Sequence, residues 1–324
     1  TKPIVAVTGT NGKTTTTTLI GEMLKAGGKK VAVAGNIGNP LVEVDDTNLD
    51  YVVAEISSYQ LEASKDFKPW VSVILNIQPD HLARHGSMEE YIKTKAKIFG
   101  NQTGDDYLVY NQDDSQVVSM VKPAKAKMIG FTKEQAGIIT LNPEEIKIPG
   151  RHNLENSLAA AQAAYLCGID KAIVAEVLKT FPGVEHRIEY VATKNGVEFR
   201  NDSKATNPDS TMVALDTYKG RGTILILGGS DKGTDLADLS NKVKQTVKEV
   251  VLIGEAADRF EQALRLVNFN SIHRATSLPE AVKKSYSLAG KDELVLLSPA
   301  CASFDMFNNY EERGRVFKEV VQGL

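Results

Sequence analysis

Residues 9–15 read Gly-Thr-Asn-Gly-Lys-Thr-Thr and follow the apolar run "PIVAVT". A glycine-rich turn between a strand and a helix points backbone N–H groups at phosphate oxygens, and the helix N-terminus adds partial positive charge. Lys13 would reach the outer phosphates of a nucleotide, and Thr14 would offer its hydroxyl to Mg²⁺. Gly9, Thr10, Asn11, Gly12, Lys13, Thr14 and Thr15 therefore form a candidate phosphate loop (P-loop). The usual pattern, G-x-x-x-x-G-K-[ST], places glycine where this chain has Val7, so the loop is a variant. Threonine is a poor helix former. Metal chemistry accounts for Thr14, while Thr15 to Thr18 are expected to suit a short packed helix, with hydroxyls bonding back to helix carbonyls.

Other residues could join this chemistry. Glu55 ends the apolar run "YVVAE", which should bring its carboxylate out at the C-terminal edge of a sheet, beside the phosphate loop. Open α/β sheets bind ligands at that edge, and a hard oxygen ligand suits Mg²⁺. "NIQPDHLARHG" holds His81 and His85, and "YIKTKAKIF" holds Lys93, Lys95 and Lys97 on one helical segment. A lone histidine is as readily a packed or surface residue, and three lysines as readily a solvated face. Cys301 has no evident base partner and reads as a small buried residue.

The elements that must position these residues alternate between strand and helix. "PIVAVT", "KVAVAG", "YVVAEI", "VSVILN" and "DYLVYN" are short apolar strands with helix-like segments between them, the pattern of a parallel sheet covered on both faces. "NLENSLAAAQAAYLCG" and "IDKAIVAEVLKTF" read as helices, and "PGVEHR" then breaks the pattern. A hairpin, "IEYVAT" and "GVEFRN" around "KNG", opens a second α/β series with strands "TILILG", "EVVLIG", "SIHRAT" and "ELVLLS". Two α/β domains are expected, at 1–183 and 184–324. The net charge of −3 argues against a polycation for nucleic acid or acidic membrane. Two distant cysteines exclude a disulfide scaffold and fit a reducing cytoplasm. No apolar run is long enough to span a bilayer.

Three stretches carry a resemblance: "EISSYQLE" at 55–62, "NDSKATNP" at 201–208 and "LSPACASFDMFNNYEERG" at 297–314. They resemble the Mur ligases of bacterial peptidoglycan synthesis, and within them the branch that adds D-glutamate. The resemblance implies a central ATPase domain followed by a Rossmann-like C-terminal domain. It also implies a preceding UDP-binding domain, which this chain is expected to lack, so that it should bind ATP with Mg²⁺ but ligate at a negligible rate. In the family reaction ATP phosphorylates the carboxylate of UDP-MurNAc-L-alanine. The amine of D-glutamate then attacks the acyl phosphate, giving an amide, ADP and phosphate. A monomer with these small-molecule substrates, and with no nucleic-acid or membrane partner, is expected.

The resemblance also implies roles. Thr14, Glu55, His81 and a carbamylated Lys95 would hold two Mg²⁺ ions; carbamylation turns a repelled ammonium into an anionic oxygen ligand. With Lys13, the residues Glu55, His81 and Lys95 make up the catalytic set. Asn153 and Asn156 resemble adenine-side contacts, although Asn153 could equally cap its helix. Arg187 resembles an arginine that meets the ATP phosphates, and Asp202 a ribose contact. Asn36 and Ser57 match contacts on the acceptor side. Lys204, Thr206 and Lys232 would meet the carboxylates of D-glutamate, and Ser303 and Phe304 its side-chain pocket. Tyr310 stands where the family often has Phe. His85 has no counterpart and is expected at the surface. Other readings stay open: another Mur or folylpolyglutamate-type ligase, a P-loop enzyme such as a small-molecule kinase, or a non-catalytic ATP-binding module.

Overall fold

Ile4–Thr8 forms the first strand, β1, and its position sets up everything that follows. In the computed structural model, which describes residues 2–37, 39–78, 82–133 and 143–324, β1 lies inside a six-stranded sheet. After β1 come helix α1 (Lys13–Ala26) and strands β2 (Val31–Gly35) and β3 (Tyr51–Glu55). Helix α2 (Ser58–Ala63), strand β4 (Val71–Ile74) and helices α3 (Leu82–His85) and α4 (Met88–Gly100) follow. The series continues through β5 (Tyr107–Asn111), α5 (Ser115–Met120), β6 (Lys127–Phe131), α6 (Arg151–Leu166) and α7 (Lys171–Thr180). The sheet order is β2-β3-β1-β4-β5-β6, and every pairing in it is parallel.

All four residues of β4 and nearly all of β1 and β3 are buried, as strands covered on both faces should be. On one face Leu61, Tyr91, Ile98 and Phe99 pack against Ala6, Ala54 and Ile74. α6 begins at Arg151, two residues before the expected start, because Gly150 at φ 102° turns the chain into it. Gly150 is therefore the cap, and Asn153 lies in the first turn instead of capping it.

The chain divides into two compact units, Thr1–Phe181 and Pro182–Leu324. The division falls two residues before the expected break at Gly183, where Pro182 follows the end of α7. The second unit opens with the hairpin strands β7 (Glu189–Lys194) and β8 (Val197–Asn201), then α8 (Pro208–Thr217), β9 (Thr223–Gly228) and α9 (Ala237–Thr246). Next come β10 (Glu249–Ile253), α10 (Ala257–Leu266), β11 (Ile272–Arg274), α11 (Leu278–Leu288), β12 (Leu294–Leu297) and α12 (Tyr310–Gln322). The sheet order is β11-β10-β9-β12-β8-β7, parallel except for the antiparallel edge pair β7–β8. β9 is buried throughout. Leu225 and Leu227 face one core cluster, while Ile224 and Ile226 face the other. No helix among the described residues is long and apolar enough to cross a membrane.

Candidate active site

In the first unit, parallel pairing of β1 with β3 sets Val7 beside Glu55. Thr8 Oγ1 donates to Ile56 O at 2.9 Å, which closes that pairing where the strands end. The glycine turn begins here, at the C-terminal edge of the sheet. It is tied to the segment that follows β4: Thr10 N donates to Asn76 O, and Asn11 N donates to Asn76 Oδ1 at 2.8 Å. Asn76 Nδ2 donates back to Asn11 O at 3.1 Å. Asn76 was not singled out from the sequence. The available signal was its place just past an apolar strand, at the same sheet edge as Glu55.

Gly12 sits at φ 85° and precedes α1 with no side-chain cap, so the first-turn N–H groups have no capping oxygen from it. Such an end suits an anion. A Cβ at Gly12 would collide with Asn156 Oδ1, so α6 stands against the turn. Asn156 Nδ2 donates to Asn153 Oδ1 at 3.1 Å, and Asn153 Nδ2 donates to Pro149 O at 2.6 Å. Both asparagines are thus brought to one cluster, with Asn156 against the loop. Lys13 Nζ folds over the turn and donates to Gly9 O at 3.0 Å and Thr10 O at 2.8 Å. Thr14 and Thr15 are buried at the start of α1.

The threonine run departs from expectation. The Thr16 and Thr17 hydroxyls are buried and have no hydrogen-bond partner among the described residues, so neither bonds back to a helix carbonyl. Helical threonine divides between two rotamers, and only one brings its hydroxyl to a preceding carbonyl. α1 packs against α6 and β3.

Glu55 is 2% exposed. Its Oε1 accepts from Asn36 Nδ2 at 2.8 Å, while Oε2 is buried with no partner among the described residues. A buried carboxylate oxygen without a donor is costly, and a cation would satisfy it. The donor chemistry of Glu55 and Thr14 therefore fits a hard divalent ion. Among the described residues no group of three or more His, Cys, Asp or Glu is placed to hold a metal. His81 lies outside the described residues.

On α4 the three lysines separate cleanly. Lys93 and Lys97 are exposed, whereas Lys95 is buried and donates to Gly9 O at 2.9 Å. Its ammonium also lies 4.8 Å from the centre of the Tyr91 ring. The Tyr91 hydroxyl is 3.1 Å from Thr10 Oγ1. His85 is not simply at the surface: it is half-buried, its Nε2 is 3.1 Å from Ser58 Oγ, and its ring packs on Tyr59 and Tyr91. The one-turn helix α3 folds it inward. Ser57 caps α2 in a reciprocal capping box with Gln60.

In the second unit the loops after β8, β9 and β12 meet. Asp202 is buried: its Oδ2 accepts from Ser298 Oγ at 2.7 Å, and its Oδ1 accepts from Ile188 N at 3.2 Å. Burial pushes its carboxyl up to about 7, against the opposing pull of Ser298 and of the Arg187 and Arg313 guanidiniums. Lys204 Nζ lies 5.7 Å from the centre of the Tyr310 ring, so these two candidates are brought together. Thr206 N donates to Lys204 O. Lys232 is exposed on the loop after β9. That loop is tied to the loop after β12, which carries Ser303, by Ser230 N donating to Ala302 O. Ser303 is buried, but Phe304 is 74% exposed. Burial raises the Cys301 thiol to about 11, in keeping with a packing role.

Arg313 is the hub that sequence reasoning passed over. It is fully buried. Its guanidinium donates to Ser203 Oγ and Ser203 O, and to the carbonyls of Cys301 and Ala302. It thereby joins the loop carrying Lys204 to the loop carrying Ser303. An arginine inside the quoted "NNYEERG" segment was the available signal.

A glycine turn leaving an inner parallel strand, a helix after it without a side-chain cap, and a carboxylate oxygen on the neighbouring strand that is buried with no partner among the described residues define a phosphate-binding α/β protein. The chain belongs to the Mur ligase family: the Mur ligase middle domain matches residues 7–164, and the Mur ligase, glutamate ligase domain matches residues 186–301. Among curated relatives, the UDP-N-acetylmuramoylalanine--D-glutamate ligase of Thermoanaerobacter sp. (strain X514) is 48% identical over 99% of this chain and 76% of its own length. The enzyme of the same name from Clostridioides difficile (strain 630) is 45% identical over 99% of this chain and 75% of its own. Among solved structures, the MurF ligase of Thermotoga maritima in complex with ADP aligns over 100% of this chain and 81% of its own, with a TM-score of 0.75 and 18% identity. E. coli FolC in complex with ADP aligns over 99% and 89%, with a TM-score of 0.72 and 16% identity. At those identities the two structures speak for the fold alone.

Proposed function

We propose that this chain is the ATP-dependent ligase that joins D-glutamate to UDP-MurNAc-L-alanine. The observation that carries the reading is the 48% identity to a D-glutamate ligase across 99% of the chain, which spans both units. In this reading the turn 9–12, Lys13 and the first-turn amides of α1 hold the ATP phosphates. Asn153 and Asn156 lie on the adenine side, with Arg187 on the phosphates and Asp202 on the ribose. Asn36 and Ser57 face the acceptor. Lys204, Thr206, Lys232, Ser303, Phe304 and Tyr310 receive D-glutamate.

Mg²⁺, held by Thr14 and Glu55 with His81 and a carbamylated Lys95, would neutralise charge building on the transferred phosphate. The chain's own residues do the rest. The turn orients the phosphates, and Lys13 adds a positive charge at their outer end. Binding two substrates beside one another converts a bimolecular attack into a positioned one.

A small-molecule kinase would use the first unit but leave Lys204, Lys232 and Ser303 without a task. Calorimetry with ATP and Mg²⁺, then with D-glutamate, tests the reading together with product analysis. Both ligands are expected to bind. Any ADP formed in the presence of UDP-MurNAc-L-alanine should be matched by an equal amount of the D-glutamate adduct. ADP accompanied by a phosphorylated product, or preference for another amino acid, overturns it.

A further inference from the structure

Three consecutive residues, His186, Arg187 and Ile188, open the second unit in an unusual way. His186 has φ 63° and Ile188 has φ 48°. The left-handed region is uncommon for any residue with a side chain, and a β-branched one there is an outlier that the surroundings must enforce. Glycine would satisfy the turn if only chain direction mattered. Here the side chains of the two strained residues are both buried, while Arg187 between them is only half-buried. The strain thus anchors both flanks and leaves the guanidinium bearer projecting from a fixed base.

The backbone of this turn is held from several sides: Arg187 N donates to Val184 O, Lys204 N donates to His186 O, and the His186 N–H goes to a carboxylate on the strand that follows. Glu189 Oε2 accepts from His186 N at 2.9 Å and from Asn201 Nδ2 at 3.0 Å. Its Oε1 accepts from Lys318 Nζ at 3.0 Å, and the same ammonium reaches Glu185 Oε1 at 2.6 Å. Asn201 Nδ2 also lies 2.9 Å from His186 Nδ1. The His186 ring fills space on α12 that only glycine leaves open: a Cβ at Gly314 would collide with it. On the other flank, Ile188 N is held by Asp202 Oδ1 at 3.2 Å. Strand β7, strand β8 and helix α12 therefore all meet at Glu189.

We propose that Glu189, with Lys318 and Asn201 behind it, is a positioning residue that holds the strained 186–188 turn and so presents Arg187 to the nucleotide. This rests on the reading of Arg187 as a phosphate contact. Glu189 itself touches no substrate.

A double-mutant cycle on ATP affinity, measured with Mg²⁺ by calorimetry, tests the proposal. Arg187→Ala is expected to weaken ATP by about tenfold, the loss of one charge-assisted contact. Glu189→Ala alone is expected to weaken ATP severalfold, Glu189→Gln to recover most of that because it keeps an acceptor for His186 N, and the double variant to bind no worse than Arg187→Ala. Losses that multiply in the double variant would make Glu189 merely structural, and wild-type affinity in Glu189→Ala would also overturn the proposal. Should Glu189→Ala fail to fold, Lys318→Met runs through the same cycle. Wild-type affinity in Arg187→Ala instead overturns the nucleotide role of Arg187, and the proposal falls with it.

Discussion

Lys95 Nζ donates a 2.9 Å hydrogen bond to the carbonyl oxygen of Gly9, 86 positions earlier in the chain. One buried side chain on α4 thus holds the first residue of the glycine turn. Lys13 Nζ meets the same carbonyl from the other end of the turn. The two lysines need different tests, because Lys13 is proposed to touch phosphate and Lys95 to become a metal ligand.

In the full-length protein, Lys95→Ala is expected to abolish ligation, and added bicarbonate or a short carboxylate to restore part of it by supplying the missing anionic oxygen. Lys95→Arg keeps a cation for Gly9 O but cannot be carbamylated, so it too should be inactive. Assays of the three proteins side by side decide the matter. An active arginine variant would assign Lys95 to loop support alone.

Gly12→Ala meets two obstacles. The residue has φ 85°, where an L-side chain costs about 1–2 kcal/mol, and the new methyl would collide with Asn156 Oδ1. Denaturant melts should show a loss of roughly 2 kcal/mol or more, as for strained or overpacked sites. Adding Asn156→Ala should return part of that loss by removing the collision. No recovery would mean that the backbone conformation accounts for all of it.

Thr16→Val and Thr17→Val replace a buried hydroxyl that has no partner among the described residues by a methyl of similar size. Each should hold or raise the melting temperature, with a gain on the order of 1 kcal/mol, because an unmade hydrogen bond is relieved. A drop of similar size would reveal a hydroxyl partner.

Asp202 gives stability a pH dependence. Its folded pKa, about 7, lies above the ordinary 3.8, with burial as the main cause. A carboxyl raised on folding stabilises the native state while it keeps its proton. That contribution is complete below about pH 4 and is lost as pH rises toward 7. Asp202→Asn should therefore melt higher than the parent at pH 8, with the advantage shrinking toward pH 4. Equal melting temperatures across the range would show that the carboxyl is not so perturbed. If Asp202 meets the ribose, the same variant should also bind ATP more weakly.

Fold and site were legible to different depths. The apolar runs around Val5, Val53 and Val73 announced buried parallel strands, and "KNG" announced the hairpin, because period and turn chemistry are local signals. Lys95 stood among three similar lysines. The family resemblance picked it out, and the helix shows the physical reason by turning Lys93 and Lys97 outward. Asn76 and Arg313 were invisible because their work is to bond the backbone of distant loops, which no local pattern encodes. The inward fold of His85 and the unbonded Thr16 and Thr17 likewise depend on what packs against them.

The parallel pairing of the first sheet has a kinetic consequence. Among the described residues β1 pairs with β3 and β4, so its partners lie some forty residues or more along the chain. No strand pair there can start as a hairpin, and each must close a crossover before it gains anything. The second unit holds β7–β8, whose strands pair across a two-residue turn. Non-local pairing slows folding, so on refolding the second unit should protect its hairpin amides before the first unit completes its sheet. Trp70, between the Tyr51 and Tyr107 rings at centroid distances of 6.0 and 5.7 Å, is the chain's only tryptophan and reports the first unit. Its fluorescence should settle later than exchange protection of β7–β8. The reverse order would place the nucleus among the crossovers.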